Sequence, residues 1–296
     1  MSLLVVGGSG FVGRHVCKRA VALGIPVVGT YATRPRDIGG VEWRRLDITE
    51  PAAVEALVRD VNPSAIVSSA YAAAPSLSPI TASVNWATNA VGAVTVARAA
   101  MTVGARLVHA SSDALFRGRP APHTERDVPD PTYPYGAAKA AAELAIAQIM
   151  PSAALARISL INSDGGADDL SPRERLMIDL AAKRRTGVLF TDDIRCPIAV
   201  SDVASALLEL AMGAAGGGSP ESLAFGGVIN LAGTDAMSFY ELGVLVALRH
   251  GLDPAALPAS TIADSGVVRP GNILLDASFA ASLLHTRLRG IREVLA

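Results

Sequence analysis

Tyr135 and Lys139 stand four residues apart in TYPYGAAKAAAE, residues 132–143. A phenol of ordinary pKa, roughly 10, is a poor acid–base group at neutral pH unless a cation stabilises its ionised form. On a helix, a lysine four residues on lies one turn further along the same face, which pairs Tyr135 with Lys139. Tyr133 has Ala137 at the corresponding place and precedes Pro134, so it is expected in the loop entering the helix. A carbonyl that accepts hydride also needs a group to hold its oxygen. VHASSDALF supplies Ser111 and Ser112 after the apolar run RLVHAS, at a strand's carboxyl end, where ligands collect. Either serine meets that need on spacing alone.

Elements able to position these residues can be read upstream. Strand-length apolar runs LLVV, PVVGT, AIVSS and RLVHAS alternate with segments of helical periodicity, such as GFVGRHVCKRAVALG and PAAVEALVRDV. This alternation predicts an α/β fold, a Rossmann-type doubly wound parallel sheet with helices on both faces. Residues 1–160 are expected to form the dinucleotide-binding domain. Residues 161–296 are expected mainly as a small C-terminal substrate lobe, with later segments returning to the sheet. NSDGGADDLSPRER (162–175) and MGAAGGGSPES (212–222) read as surface loops.

VVGGSGFVGRH places Gly7, Gly10 and Gly13 between the first strand and first helix, and Gly8, Gly10 and Gly13 fit the G-x-G-x-x-G spacing equally. Both variants serve one demand, a tight turn with backbone close to a pyrophosphate at a helix N-terminus. Gly7, Gly10, Phe11, Val12 and Gly13 are therefore candidate cofactor contacts. The second strand runs into VVGTYATRPRD, with no acid before Asp37 to hold ribose hydroxyls and with Arg34 and Arg36 available for a 2′-phosphate. NADP(H) is the expected cofactor. Asp47, with Ile48 beside it, is the candidate for the adenine amino group.

Composition narrows the partners. A formal net charge of -1 excludes the concentrated basic surface that nucleic acid demands, leaving a small-molecule substrate as the expectation. Residues 61–97 carry no charge, but prolines and hydroxyls interrupt them, so no membrane span is expected. The start MSLLVVGGSG has no basic n-region, and Cys17 and Cys196 match no metal or redox spacing; a cytoplasmic protein with free buried thiols is the expectation. The five histidines show no ligand spacing, and no protein-held metal is expected.

GGSGFVG, a hydroxyl after a later strand and YGAAK together resemble an extended short-chain dehydrogenase/reductase. SSDALFRGRPAPHTERDVPDPTYPYGAAKAAAE and VVRPGNILLDASFAASLL are most similar to the dTDP-4-dehydrorhamnose reductase family. That resemblance implies a triad of Ser112, Tyr135 and Lys139, with Ser112 preferred because Phe116 then takes the aromatic place four residues on. It implies that Tyr135 gives the proton while nicotinamide gives hydride, and that Lys139 lowers the phenol pKa and holds the nicotinamide ribose. It also implies that Asn89 of NAVG supports the cofactor side, that Ala70 and Tyr71 lie along the cofactor, and that Arg269 lies near the nucleotide-sugar end. Asp113 and Arg195 join Arg269 as candidate substrate residues, with an Asp193–Arg195 salt bridge as the competing reading of TDDIRCPI. Departures from the family pattern are Ala114 and Leu160, where it carries aromatics facing the sugar, and Ile273 for serine. These leave a nucleotide-linked 4-keto sugar as the leading substrate and another small carbonyl compound as the next. Asp113 is followed by alanine instead of glutamate, which disfavours dehydration, and the missing ribose acid disfavours an NAD-retaining epimerase. A regulatory subunit of methionine adenosyltransferase is similar to the same reductases, and an NADP-binding interaction subunit is the non-enzymatic alternative. Many relatives are dimers, which leaves a homodimer open.

Overall fold

The computed structural model describes residues 2–72, 83, 85–166, 169–266 and 269–296. Its centre is β1 (Leu3–Val6), whose four residues are inaccessible to water. β1 pairs in parallel with β2 (Val27–Tyr31) on one side and β4 (Ala65–Ser68) on the other. β3 (Val41–Arg45) extends the first side; β5 (Arg106–Ala110), β6 (Ala154–Ile158) and β7 (Gly227–Leu231) extend the second. The all-parallel order is 3-2-1-4-5-6-7, the expected doubly wound sheet.

Strand alternation divides the core between the two faces. Leu3 and Val5 pack on the side of α1 (Phe11–Ala22) and α6 (Val200–Met212). Leu4 and Val6 pack on the side of α2 (Pro51–Val61), α3 (Ala93–Thr102) and α4 (Pro134–Ile149). α1 buries Gly13, Val16, Cys17 and Ala20, an i, i+3, i+4, i+7 stripe. Each fully buried Leu or Val contributes about 1.5–3 kcal/mol relative to exposure. Cys17 and Cys196 are free and buried, and burial pushes the Cys17 thiol up to about 12.

A second, smaller core collects Leu160, Met177, Leu180, Leu189, Leu242 and Val246 around α5 (Pro172–Ala181) and α7 (Phe239–Arg249). Two-residue strand pairs brace it: Ile161–Asn162 with Ile198–Ala199, Ile194–Arg195 with Met237–Ser238, and Leu189–Phe190 with Ala259–Ser260. Later segments return to the sheet, α6 as a covering helix and β7 as an edge strand.

Two expected loops are partly helical. α5 begins at Pro172 inside the first, and the second holds a 3₁₀ turn at Gly213–Gly216 and a short helix at Pro220–Ala224. Both helices start with a serine cap and proline at the first position, and Ser171 with Glu174 and Ser219 with Ser222 close reciprocal capping boxes. Ser-Pro punctuation therefore starts helices here. Among the described residues no helix is long and apolar enough to cross a membrane. Of the uncharged stretch, residues 73–82 and 84 lie outside the described residues.

α1 lies so close to the turn before it that a Cβ on Gly13 would sit 2.2 Å from the Gly7 carbonyl oxygen. Gly13→Ala is expected to lower stability by about 1–3 kcal/mol in urea unfolding, the range for overpacking. Gly39→Ala, where a Cβ would meet nothing within 4 Å, is the control, expected to stay within about 0.5 kcal/mol of the parent.

Candidate active site

Three side chains of α4 face the end of β5 at successive turns: Tyr135, Lys139 and Glu143. What lets the helix approach is Gly136, since a Cβ there would lie 2.1 Å from the Ala114 carbonyl oxygen. That contact brings the start of α4 onto the loop leaving β5 and sets Tyr135 beside Ser112. The Ser112 hydroxyl is near enough to the Tyr135 phenol to favour its ionised form. Burial pushes the phenol up to about 12, while Ser112 and the charge of Arg173 pull the other way.

The two serines separate cleanly. Ser111 is buried and donates to Glu143 at 3.0 Å, and Glu143 forms a dry ion pair with Arg157 of β6 at 2.6 Å. Ser112 faces Tyr135, accepts from the Ala114 N–H at 3.2 Å, and has Asp113 Oδ1 within 3.4 Å. Ser111 is thus already engaged by Glu143, and Ser112 is the serine on the Tyr135 side. Phe116 stacks on His123 at 3.9 Å between ring centres and carries the Arg157 guanidinium over its other neighbourhood at 4.9 Å.

Lys139 Nζ donates to the Ala110 carbonyl oxygen at 2.6 Å and lies 3.4 Å from His109 Nε2. Burial pulls the ammonium down to about 8, against the opposing charge of Glu143. His109, fully enclosed, is held neutral by burial and by the Lys139 charge. The expected lowering of the Tyr135 pKa by Lys139 is not found here: Lys139 is tethered to the strand end, burial raises the phenol, and Ser112 is the leading influence that lowers it.

On the cofactor side, Gly7 has φ +82°, and a Cβ there would lie 2.5 Å from the Ala70 nitrogen. Gly10 caps α1 without any side-chain hydrogen bond, and no acid occupies the first turn. The Phe11 and Val12 end of α1 is thus an uncapped positive helix terminus beside a side-chain-free turn, which fits a pyrophosphate. Arg36 Nε donates to the Ser9 carbonyl oxygen at 2.9 Å, so its side chain lies along this turn, and Arg34 is exposed just beyond β2. Asp47 is exposed, and its Oδ1 accepts from the Thr49 nitrogen and hydroxyl at 2.9 and 2.7 Å, which lowers its pKa. Ile48 is packed in the core against Gly92 instead of standing free. Asn89, buried in a π-helical turn at Ala87–Gly92, clasps both backbone groups of Ala72 at 3.0 Å and also bonds Asn85. It braces the segment after β4, where Ala70 is half-buried and Tyr71 is half exposed with its phenol close enough to act on Tyr135.

Beyond Ser112, Asp113 and Asp193 face one another through Arg195. Arg195 Nη1 is 2.7 Å from Asp193 Oδ1, and its Nε is 3.6 Å from Asp113 Oδ2. Arg269 also pairs with Asp193 and is held 5.1 Å from the ring centres of Phe190 and Phe239. These are ionic contacts, off the axes of good hydrogen bonds to Asp193. The competing reading of TDDIRCPI is correct as far as the ion pair goes: Arg195 is a buried, paired group. Burial raises the pKa of both aspartates, opposed first by Arg195. Ser159 Oγ donates to Asp113 Oδ2 at 3.3 Å. Leu160 belongs to the lobe core, and Ala114 is buried at the Gly136 contact.

Several participants escaped the sequence reading. Glu143 continues the Tyr135 and Lys139 spacing by one more turn and could have been found by extending it. Tyr133, expected at the entry to this helix, is its N-cap; what the sequence did not show is that its ring stacks with Tyr135 at 6.4 Å and that Asp113, Arg195 and Arg269 act on its phenol. Arg173, near the start of α5, acts on Asp113, Tyr135, Asp193 and Arg269, and no sequence signal marks it. No group of three or more His, Cys, Asp or Glu suited to a metal occurs among the described residues.

Comparison with known proteins places this geometry. The chain is 28% identical over 297 residues to methionine adenosyltransferase 2 subunit beta of Xenopus laevis, covering 99% of this chain and 86% of that one. It is 30% identical over 214 residues to dTDP-4-dehydrorhamnose reductase of Mycobacterium tuberculosis, covering 71% of this chain and 65% of that one. Among solved structures, dTDP-4-dehydrorhamnose reductase from Bacillus anthracis strain Ames, in complex with NADP, superposes with a TM-score of 0.78 at 21% identity, covering 100% and 98% of the two chains. The family model described as the RmlD substrate binding domain matches residues 1–296, and the chain belongs to that family.

Proposed function

We propose that this protein is an NADPH-dependent reductase of a small-molecule ketone, with a nucleotide-linked 4-keto sugar as the leading substrate. The observation that carries the reading is the nearness of the Ser112 hydroxyl to the Tyr135 phenol, with Lys139, one turn further along α4, held by the Ala110 carbonyl oxygen at the carboxyl end of β5. Gly7, Gly10, Phe11, Val12 and Gly13 would hold the pyrophosphate, and Asp47 would meet the adenine. Ala70, Tyr71 and Asn89 would flank the bound dinucleotide. Arg34 and Arg36 would meet the 2′-phosphate, and no acid lies between β2 and Asp37. Support for NADP(H) also comes from the Bacillus anthracis reductase, which is described in complex with NADP.

A bound NADPH would supply hydride to the carbonyl carbon. The chain's own groups do the rest. Ser112 holds the carbonyl oxygen, and Tyr135 releases its proton to that oxygen as negative charge develops there. A phenol pushed up to about 12 is protonated throughout the neutral range, so it stands ready as a donor. Lys139, fixed by the Ala110 carbonyl oxygen, would hold the nicotinamide ribose and favour the departing proton's charge balance.

A second reading draws on the similarity to the methionine adenosyltransferase subunit, which spans 99% of this chain. In that case the protein binds NADP and acts through a partner subunit without turnover. The two part on one measurement: NADPH oxidation across a panel of ketones that includes nucleotide-linked 4-keto sugars. Turnover that falls by about 10²–10⁴ in Tyr135→Phe, the range for removing a general acid, supports the reductase. Tight NADPH binding with no turnover on any member of the panel supports the binding subunit.

Two further outcomes follow from the site's electrostatics and charge pattern. Burial leaves Lys139 titrating at about 8, so turnover is expected to fall as pH rises through that value and the ammonium is lost; a rate that stays flat from pH 7 to 9 sinks the role given to Lys139. NADPH is expected to be preferred to NADH by at least tenfold in kcat/KM, about 1.4 kcal/mol, with the preference reduced in Arg34→Ala.

A further inference from the structure

Arg195 and Arg269, the arginines that the sequence offers for an anionic substrate, are already engaged inside the protein. Arg195 is buried against Asp193 and Asp113, and it also donates to the carbonyl oxygens of Ile194 and Gly271. Arg269 pairs with Asp193 between two phenylalanine rings. Two carboxylates thus cancel two guanidiniums. Burial raises both carboxyl pKa values, opposed first by Arg195.

One further cation whose charge reaches these groups has no such partner among the described residues. Glu174 accepts from the Ser163 nitrogen at 2.9 Å and hydroxyl at 2.6 Å, which pins the first turn of α5 to the segment leaving β6. Four residues earlier in that segment, Ser159 bonds Asp113. The neighbour of Glu174 in that turn is Arg173, which is exposed, makes no hydrogen bond or ion pair among the described residues, and carries a charge felt at Asp113, Asp193, Tyr135 and Arg269. A cation in the first turn of a helix works against the helix dipole. The two carboxylates that feel its charge, Asp113 and Asp193, are already paired with Arg195 and Arg269, so this cluster holds three guanidiniums against two carboxylates, an excess that an anion entering the cleft would balance.

We infer that Arg173 is the specificity-determining residue for a substrate carrying a phosphate or diphosphate, pairing with that anion at the mouth of the cleft while Arg195 and Arg269 shape its wall. The inference rests on the sugar-nucleotide reading and refines it. It moves recognition of the anion from the buried arginines to a free guanidinium, whose planar donors suit phosphate oxygens in pairs.

Calorimetric titration of the NADP-loaded full chain with thymidine 5′-diphosphate, uridine 5′-diphosphate and uncharged thymidine tests it. Arg173→Gln is expected to weaken binding of the diphosphate by about tenfold or more, the scale of a charge-assisted hydrogen bond. The salt dependence of diphosphate binding should flatten as well, with thymidine binding unaltered and Arg173→Lys recovering part of the loss. The melting temperature of Arg173→Gln should not fall, because the side chain makes no described contact to lose. Arg98→Gln, exposed on α3, is the charge control and should bind as the parent does. Equal diphosphate affinity in the parent and Arg173→Gln overturns the assignment of Arg173 and leaves the sugar-nucleotide reading standing. A parent protein that binds NADPH but neither diphosphate overturns that reading, and this inference with it.

Discussion

Glu143 is the residue on which the arrangement hangs. Its carboxylate sits in the middle of α4, out of water, and holds the Arg157 fork from β6 and the Ser111 hydroxyl from β5. Those three elements carry Tyr135 and Lys139, Arg157, and Ser111 with Ser112. An ion pair this dry contributes little net stability, because desolvating both charges offsets most of their attraction, yet losing one partner costs about 3–5 kcal/mol. Its importance is therefore geometric. The pair fixes the rotation of α4 about its axis, and with that rotation set, the residues four and eight positions earlier point at the end of β5.

The same dryness shapes the electrostatics of the neighbouring groups. Burial raises the Tyr135 phenol and lowers the Lys139 ammonium, so each is drawn toward its neutral form. Few neighbours oppose this: Ser112 and the Arg173 charge for the phenol, and the Glu143 charge for the ammonium. His109 contributes an uncharged ring on the far side of the ammonium. A site built this way responds strongly to any charge that enters it, since few mobile dipoles are present to screen it.

Much of this was legible before any coordinates. The alternating runs, the glycine turn and the i, i+4 spacing of Tyr135 and Lys139 are local patterns, and local patterns survive in a linear string. What could not be read is what depends on approach between distant segments. That Gly136 must be glycine is a fact about Ala114, twenty-two residues away. Arg195 and Arg173 have similar side chains, and only the fold shows that one is consumed by Asp193 and Asp113 while the other is not. Ser-Pro at residues 171–172 and 219–220 read as loop punctuation because proline and serine are also common in turns; the capping boxes that make them helix starts need their third-residue partners to close. Ile48 was read beside Asp47 as a cofactor contact, and its place under Gly92 follows from helix packing that no periodicity encodes.

The position of β7 has a consequence for how the chain is made. β6 ends at Ile158, and its outer partner is supplied by Gly227–Leu231 only after α5 of the smaller lobe and the covering helix α6. During synthesis the edge of β6 therefore emerges long before the strand that closes it, with its backbone donors and acceptors open to wrong partners. Closure is then secured from two directions, because Asn230 of β7 donates to the carbonyl oxygens of His123 and Asp276. The sheet and the lobe are thus bound to a common folding event, and a polypeptide released at the end of β6 would carry an unpaired edge at the very strand that holds Arg157.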